Sequence, residues 1–318
     1  MSAATRGAVL VALASAHGQL PANELQRIRF NIEQPLKHSA ATHELRERAA
    51  TLLRCVSKIA IEQHGEAAWL LTRDAGPTAR GQIRNVFADG ELWLCPPIQV
   101  GYVHIYKSGG TTIGIAFKKL CDMHFGVNSS FVKCAAPYCN VNGVSGAKEF
   151  RFLAKEYRYF SFVRRPDERL LSGIFQARKN QGGAGNEIKE LFKQLPKSEF
   201  VKAVLTRVLS GHLYDPHLLP QVAFLMSDGA PMPSLVYLGR VENLSDDFAA
   251  ITAEVFGVPT AATEARDLVN RIHDRDRHSF EYGRSDPIAE LKVADMKHDT
   301  KAIMMGTYIS DYMCLGYF

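Results

Sequence analysis

No apolar run in this sequence approaches the roughly 20 residues that cross a bilayer, so no membrane span is expected. Blocks of consecutive basic residues are missing too, and a formal charge of +5 over 318 residues is mild. That balance suits a small polyanionic ligand or an acidic acceptor better than a long nucleic-acid track, and no nucleic-acid partner is expected. Cysteine is scarce. Six residues (Cys55, Cys95, Cys121, Cys134, Cys139 and Cys314) are too few in a chain this long to read as a disulfide framework. Small semi-buried side chains are the expectation, with a Cys134–Cys139 bridge as the alternative. Cys134 and Cys139 stand close together, but no metal site is read from the sequence and no metal is expected. Repeats, low-complexity tracts and flexible linkers are also lacking.

Hydrophobic residues at 46% and charged residues at 22% give an ordinary soluble composition, enough for one large or two modest domains. The opening "MSAATRGAVLVALASAHG" carries Arg6, a short apolar run and Ala14-Ser15-Ala16, which resembles a secretory signal but reads equally as a helix. A cytoplasmic protein is expected, with a secreted one as the alternative. From Asn23 to Glu62 the pattern is helical, broken near Pro35, with Leu45, Ala49, Leu52, Leu53, Val56 and Ile59/Ala60 forming one stripe. A strand at Ala68–Thr72 and a hairpin turn at Asp89-Gly90 follow, and "CPP" at Cys95–Pro97 marks a boundary. The expected division is a mainly helical extension with a β-hairpin over residues 1–97, packed on a core domain over 98–318.

Beyond Pro97, strands alternate with helices. Strands are expected at Gln99–Tyr106, Tyr157–Val163 and Ser234–Leu238, and helices at Thr111–Cys121, Pro166–Arg178, Lys197–Ser210 and Ser245–Phe256. This alternation predicts an α/β fold with a parallel sheet flanked by helices. In such folds ligands sit at the carboxyl ends of strands.

There lies Lys107-Ser108-Gly109-Gly110-Thr111-Thr112. The glycines permit a tight turn with close backbone approach, and the following helix offers unpaired N–H groups to an anion. Two threonine hydroxyls and a mobile lysine charge complete an anion site. The lysine precedes the glycines, whereas G-x-x-x-x-G-K-[ST] places it after them, which weakens a kinase reading. A second strand-to-helix junction, "YFSFVRRPDERLLSGIFQ" (Tyr159–Gln176), puts Arg164 at the strand end and Ser172 in the helix, suited to a second phosphate.

Together these segments resemble the sulfotransferases that use 3′-phosphoadenosine 5′-phosphosulfate (PAPS), closest to the carbohydrate and heparan-sulfate branch. "HIYKSGGTT" resembles their 5′-phosphosulfate loop, and the second junction their 3′-phosphate motif. "YDPHLLPQ" (Tyr214–Gln221), "VYLGRVENLSDDF" (Val236–Phe248) and "TYISDYMCLGYF" (Thr307–Phe318) fit the same branch in the same order. The resemblance covers about residues 99–318 and implies a P-loop-like sulfotransferase fold. It also implies that Lys107 contacts the bridging oxygen, that the loop from Ser108 through Thr112 cradles the 5′-phosphate, and that Arg164 and Ser172 bind the 3′-phosphate. Arg169, Arg240 and Glu242 sit in these motifs as site or structural residues, and Arg165 departs from the acidic or small polar residue common in the family.

The expected reaction is in-line transfer of a sulfuryl group from PAPS to a hydroxyl or amine of a carbohydrate or small metabolite, without metal. A P-loop-type kinase and a catalytically silent nucleotide-binding module are the alternatives. His217, with Asp215 two residues before it, is the first candidate base; His124 and His212 follow, while His104 points into packing. The acceptor is expected to border "RIHDRDRHSFEYGRSDP" (Arg271–Pro287), read as a basic loop, or the N-terminal third.

Overall fold

The structure is a computed structural model that describes residues 40–62, 91–126, 132–135, 140–141, 144–145, 157–180, 183–227, 230–231, 235–258, 260–281 and 291–318. The signal-like opening, Pro35, the 68–72 strand, the Asp89-Gly90 turn and Cys139 lie outside these residues.

Five strands form one mixed sheet: β1 (Glu91–Cys95), β2 (Val100–His104), β3 (Val132–Ala135), β4 (Arg158–Val163) and β5 (Leu235–Arg240), in the order β3-β1-β2-β4-β5. β2, β4 and β5 run parallel, whereas β1 pairs antiparallel with both β2 and β3. The α/β class and the strand–helix alternation are therefore present. The Pro96–Pro97 pair is no boundary between separate bodies. It forms a single 3₁₀ turn between β1 and β2, and Gln99 closes it at φ 51° with its amide bonded to the Pro96 carbonyl. The fixed φ of two prolines reverses the chain inside the sheet.

Alternation along the strands sends side chains to two faces. Tyr102, Phe160, Phe162 and Tyr237 pack with α2 (Gly110–Phe125), α6 (Leu244–Phe256) and α7 (Ala261–Glu281). Val103, Ile105, Tyr159, Val163, Leu235 and Leu238 pack with residues 219–225 and the carboxyl end on the other. A third cluster is helical, built from α3 (Pro166–Lys179), α4 (Gly183–Gln194), α5 (Lys197–Leu209), α8 (His298–Thr307) and α9 (Ile309–Cys314). α1 (Ala40–Glu62) lies along edge strand β5, with Leu45 in one sheet cluster and Ala49 and Leu52 in the other. A helix over that edge blocks strand addition. Among the described residues no helix is long and apolar enough to cross a membrane.

Two sequence expectations change. Residues 271–281 continue α7 rather than forming a loop; the apolar stripe Ala265, Leu268, Val269, Ile272 stops halfway, and the remainder, His273–Glu281, is almost wholly polar, so no periodic stripe signals it. Cysteines also pair. Cys55 bonds to Cys314 with Cα atoms 5.3 Å apart, and Cys95 to Cys121 at 6.0 Å. The first pair joins α1 to the end of α9, and the second ties β1 to α2. Partners 259 positions apart leave no mark in local spacing.

Candidate functional site

The carboxyl ends of β2 and β4 place the two junctions side by side. After β2 the chain turns sharply: Lys107 has φ 67° and Gly109 φ 74°. For lysine the left-handed region costs about 1–2 kcal/mol, which surrounding contacts must offset. Those contacts are specific. Ser108 is fully buried; its amide bonds to the Ile105 carbonyl, and its hydroxyl donates to Gln221 Oε1 at 3.0 Å. A side chain at Gly110 is excluded, because its Cβ would fall 1.7 Å from His104 Nε2. His104 is thus buried packing, as its strand position suggested.

α2 begins at Gly110 behind a glycine N-cap with no side-chain cap bond. The first intrahelical bond goes from Ile113 N to Gly109 O. The preceding amides of the first turn, with the exposed Thr111 and the buried Thr112, leave a positive, donor-rich helix end. Lys107 stands before it, half-buried, and among the described residues no carboxylate pairs with it. Burial first, and then the charges of Arg164 and Lys179, hold its ammonium below the ordinary lysine value.

Arg164 is fixed by its backbone: its amide donates to Gln221 Oε1 at 2.9 Å and its carbonyl accepts from Gln221 Nε2 at 2.8 Å. One buried glutamine therefore locks Ser108 and Arg164, one from each motif. Gln221 is held in turn by Asp311, which accepts from the amides of Gln221 (2.8 Å) and Val222 (3.0 Å). The Arg164 guanidinium engages Glu168, with Nε and Nη2 each 3.2 Å from Oε2. Ser172 follows one turn later on the same helix face, half-buried, and Lys179 two turns after that.

No family model, curated protein or solved structure matches the chain.

The remaining assignments divide. Ser108 is committed to Gln221, so neither its hydroxyl nor its amide is left for a ligand. Arg169 is a structural residue: fully buried, it donates to the carbonyls of Tyr106 (2.9 Å) and Leu219 (2.6 Å). Arg240 donates to the carbonyls of Leu315 and Gly316, and Glu242 accepts from the Arg165 amide and the Tyr317 hydroxyl. Arg165 pairs with Asp167 at 2.7 Å, away from the Arg164 fork.

His217 packs against the loop that carries Lys107. Its imidazole lies 4.6 Å from the Tyr106 ring, next to Lys107, and its Nδ1 sits 2.7 Å from Asp215 Oδ1. His124 does not. It ends α2, about 21 Å from the helix start at 1.5 Å per residue, and bonds Glu264 Oε2 on α7 at 2.6 Å between Phe125 and Phe256. His212 is exposed on a turn, bonded to Ser210. Sequence reasoning missed Gln221, Asp311 and Lys179. Lys179 was available from helical spacing, seven residues beyond Ser172; the Gln221–Asp311 contact, across 90 positions, was not.

Proposed function

We propose that the protein is a PAPS-dependent sulfotransferase acting on a hydroxyl or amine of a carbohydrate or small metabolite. The carrying observation is Lys107: an ammonium without a carboxylate partner among the described residues, poised in a left-handed turn before an uncapped helix start. A 5′-phosphosulfate fits that arrangement, held by Lys107, the amides of Gly110, Thr111 and Thr112, and the threonine hydroxyls. Arg164 and Ser172 suit a 3′-phosphate, which competes with Glu168 for the guanidinium.

PAPS supplies a sulfuryl group whose departure leaves negative charge on the bridging phosphate oxygen. Lys107 and the start of α2 are aimed at charge of that kind and need no reorganisation when it develops. His217, carried by the turn beside Tyr106, takes the acceptor proton. The two disulfides favour an oxidising compartment over the cytoplasmic placement expected from the sequence. Alkylating the unfolded, unreduced protein should leave Cys55, Cys95, Cys121 and Cys314 unlabelled; labelling of all four removes that argument.

The test of the reading is calorimetric titration with 3′-phosphoadenosine 5′-phosphate (PAP), with ATP as the control. Binding of PAP and not of ATP is expected, and the reverse preference would support the kinase alternative. PAP binding without turnover over an acceptor panel would support the silent module. The same titration carries a proton signature. An anion near Lys107 raises its lowered pKa, so binding at alkaline pH takes up a proton, and PAP affinity falls as pH rises through the free-state value. Heats identical in buffers of different ionisation enthalpy, across the alkaline range, would separate Lys107 from the phosphate.

A further inference from the structure

We propose that Asp215 and Asn180 are positioning residues that hold His217 with its proton on Nδ1 and Nε2 bare, so that Nε2 is the atom that accepts the acceptor's proton. The inference rests on the sulfuryl-transfer reading and specifies its base.

Asp215 caps the 3₁₀ turn Pro216–Leu218 from an extended conformation at φ −150°. Its Oδ1 takes both the His217 amide at 2.8 Å and the ring Nδ1 at 2.7 Å, while its Oδ2 takes the Asn180 amide nitrogen at 3.0 Å. Burial pushes the Asp215 carboxyl up, yet hydrogen bonds from His217 and Asn180 outweigh it and hold the group below its ordinary value. An ionised carboxylate only accepts, so the ring nitrogen facing it is the donor. The neutral ring then has one lone pair, on Nε2, and among the described residues no protein group bonds that atom.

The turn is seated where such a base is useful. It presses on α3 at Gly173, where a Cβ would lie 2.4 Å from the His217 carbonyl oxygen. α3 is the helix that follows Arg164 and carries Ser172, so the turn that holds His217 packs directly on the element that carries Ser172. Tyr106, from the Lys107 loop, packs at 38° against the imidazole. Around the turn, Arg169 bonds the Leu219 carbonyl from α3, and Tyr308 bonds the Leu218 carbonyl from the end of α8 at 2.6 Å. Among the described residues, the titratable groups shown against the ring are Asp215 on its own turn and Tyr106 from the loop, with Arg169 and Tyr308 bonded to the backbone of the turn.

In the step this arrangement serves, the acceptor O–H gives its proton to Nε2 and an oxygen lone pair forms the bond to sulfur. The bridging S–O bond breaks with its electrons passing to the phosphate oxygen. The imidazolium left behind is stabilised by Asp215, as in histidine–carboxylate pairs that work as bases elsewhere.

Long-range ¹H–¹⁵N spectra of histidine-labelled protein at mildly alkaline pH, with His217→Gln for assignment among the 11 histidines, read the tautomer without knowledge of the acceptor. Wild type is expected to show His217 protonated on Nδ1. Asp215→Asn and Asn180→Ala should populate the Nε2-protonated form while retaining wild-type PAP affinity. PAP release from PAPS with water as acceptor should fall about 100-fold in His217→Gln and Asp215→Asn and about 10-fold in Asn180→Ala, with the acid limb of the pH profile moving to lower pH in the last two. An Nε2-protonated wild type overturns the proposal. So does an Nδ1 tautomer that survives both substitutions with an unchanged profile. A protein with the expected tautomer that binds no PAP would overturn the sulfotransferase reading and with it the role of Nε2, leaving only the positioning of the ring.

Discussion

Lys107→Ala is expected to lower turnover roughly 100- to 1000-fold, about 2.7–4 kcal/mol, while weakening PAP binding far less. The asymmetry follows from where the charge sits. In PAPS the bridging oxygen carries little charge until the S–O bond lengthens, so an ammonium aimed there is felt most in the transition state. PAP lacks the reacting bond and retains both phosphates, which on the proposed reading are held by the amides at the start of α2 and by Arg164. Lys107→Ala leaves the backbone strain in place, since alanine occupies φ 67° no more comfortably than lysine; Lys107→Gly, which removes the strain together with the charge, is the control for the turn. The measurements are PAP release from PAPS and calorimetric PAP affinity for both variants. Equal losses in the two quantities would make Lys107 a ground-state ligand, and near-normal turnover would take it out of the chemistry.

The second large effect is far from any ligand in sequence. Asp311→Ala is expected to destabilise the protein by about 3–5 kcal/mol, the usual range when one partner of a buried charged network is removed. Asp311 has no exposure, and its loss orphans the amides of Gln221 and Val222 and leaves buried Arg169 without its neighbouring carboxylate. A fall in melting temperature of roughly 5–15 °C follows from a change of that size. Because Gln221 positions Ser108 and Arg164, PAP affinity should fall as well, and Asp311→Asn, which retains acceptor capacity, should recover part of both. A melting temperature and PAP affinity at wild-type values in Asp311→Ala would show that Gln221 holds the loop unaided.

These two residues mark how far the sequence could be read. Lys107 was legible because the chemistry lay in a contiguous stretch: a strand, two glycines and a helix start carry their own geometry, and the Arg164 junction repeats it. β2, β4 and β5, with α2, α3, α5 and α6, were legible for the same reason, their apolar periods being local. Asp311 was hidden because its meaning is a contact across 90 positions with Gln221. Cys55 and Cys314 were hidden by a greater distance still. His124 misled because position along the chain suggested the site, whereas a helix carried it to the far end. Ser108 misled because a hydroxyl in an anion loop looks available until its burial is known. Asn180 offered no signal, being one polar residue at a helix end whose partner comes from another turn.

The lock on the loop also has an order in time. A ribosome making this chain releases Lys107 and the start of α2 first, and Asp311 and Cys314 roughly 200 residues later, about 10–40 s at about 5–20 residues per second. Until then Gln221 has no carboxylate to fix it, and α1 has no partner for Cys55. The nascent protein can form its sheet while the anion loop is still unlatched. The loop is therefore latched only once Asp311 has been made, and a chain broken off before that residue should form its sheet with the loop still unlatched.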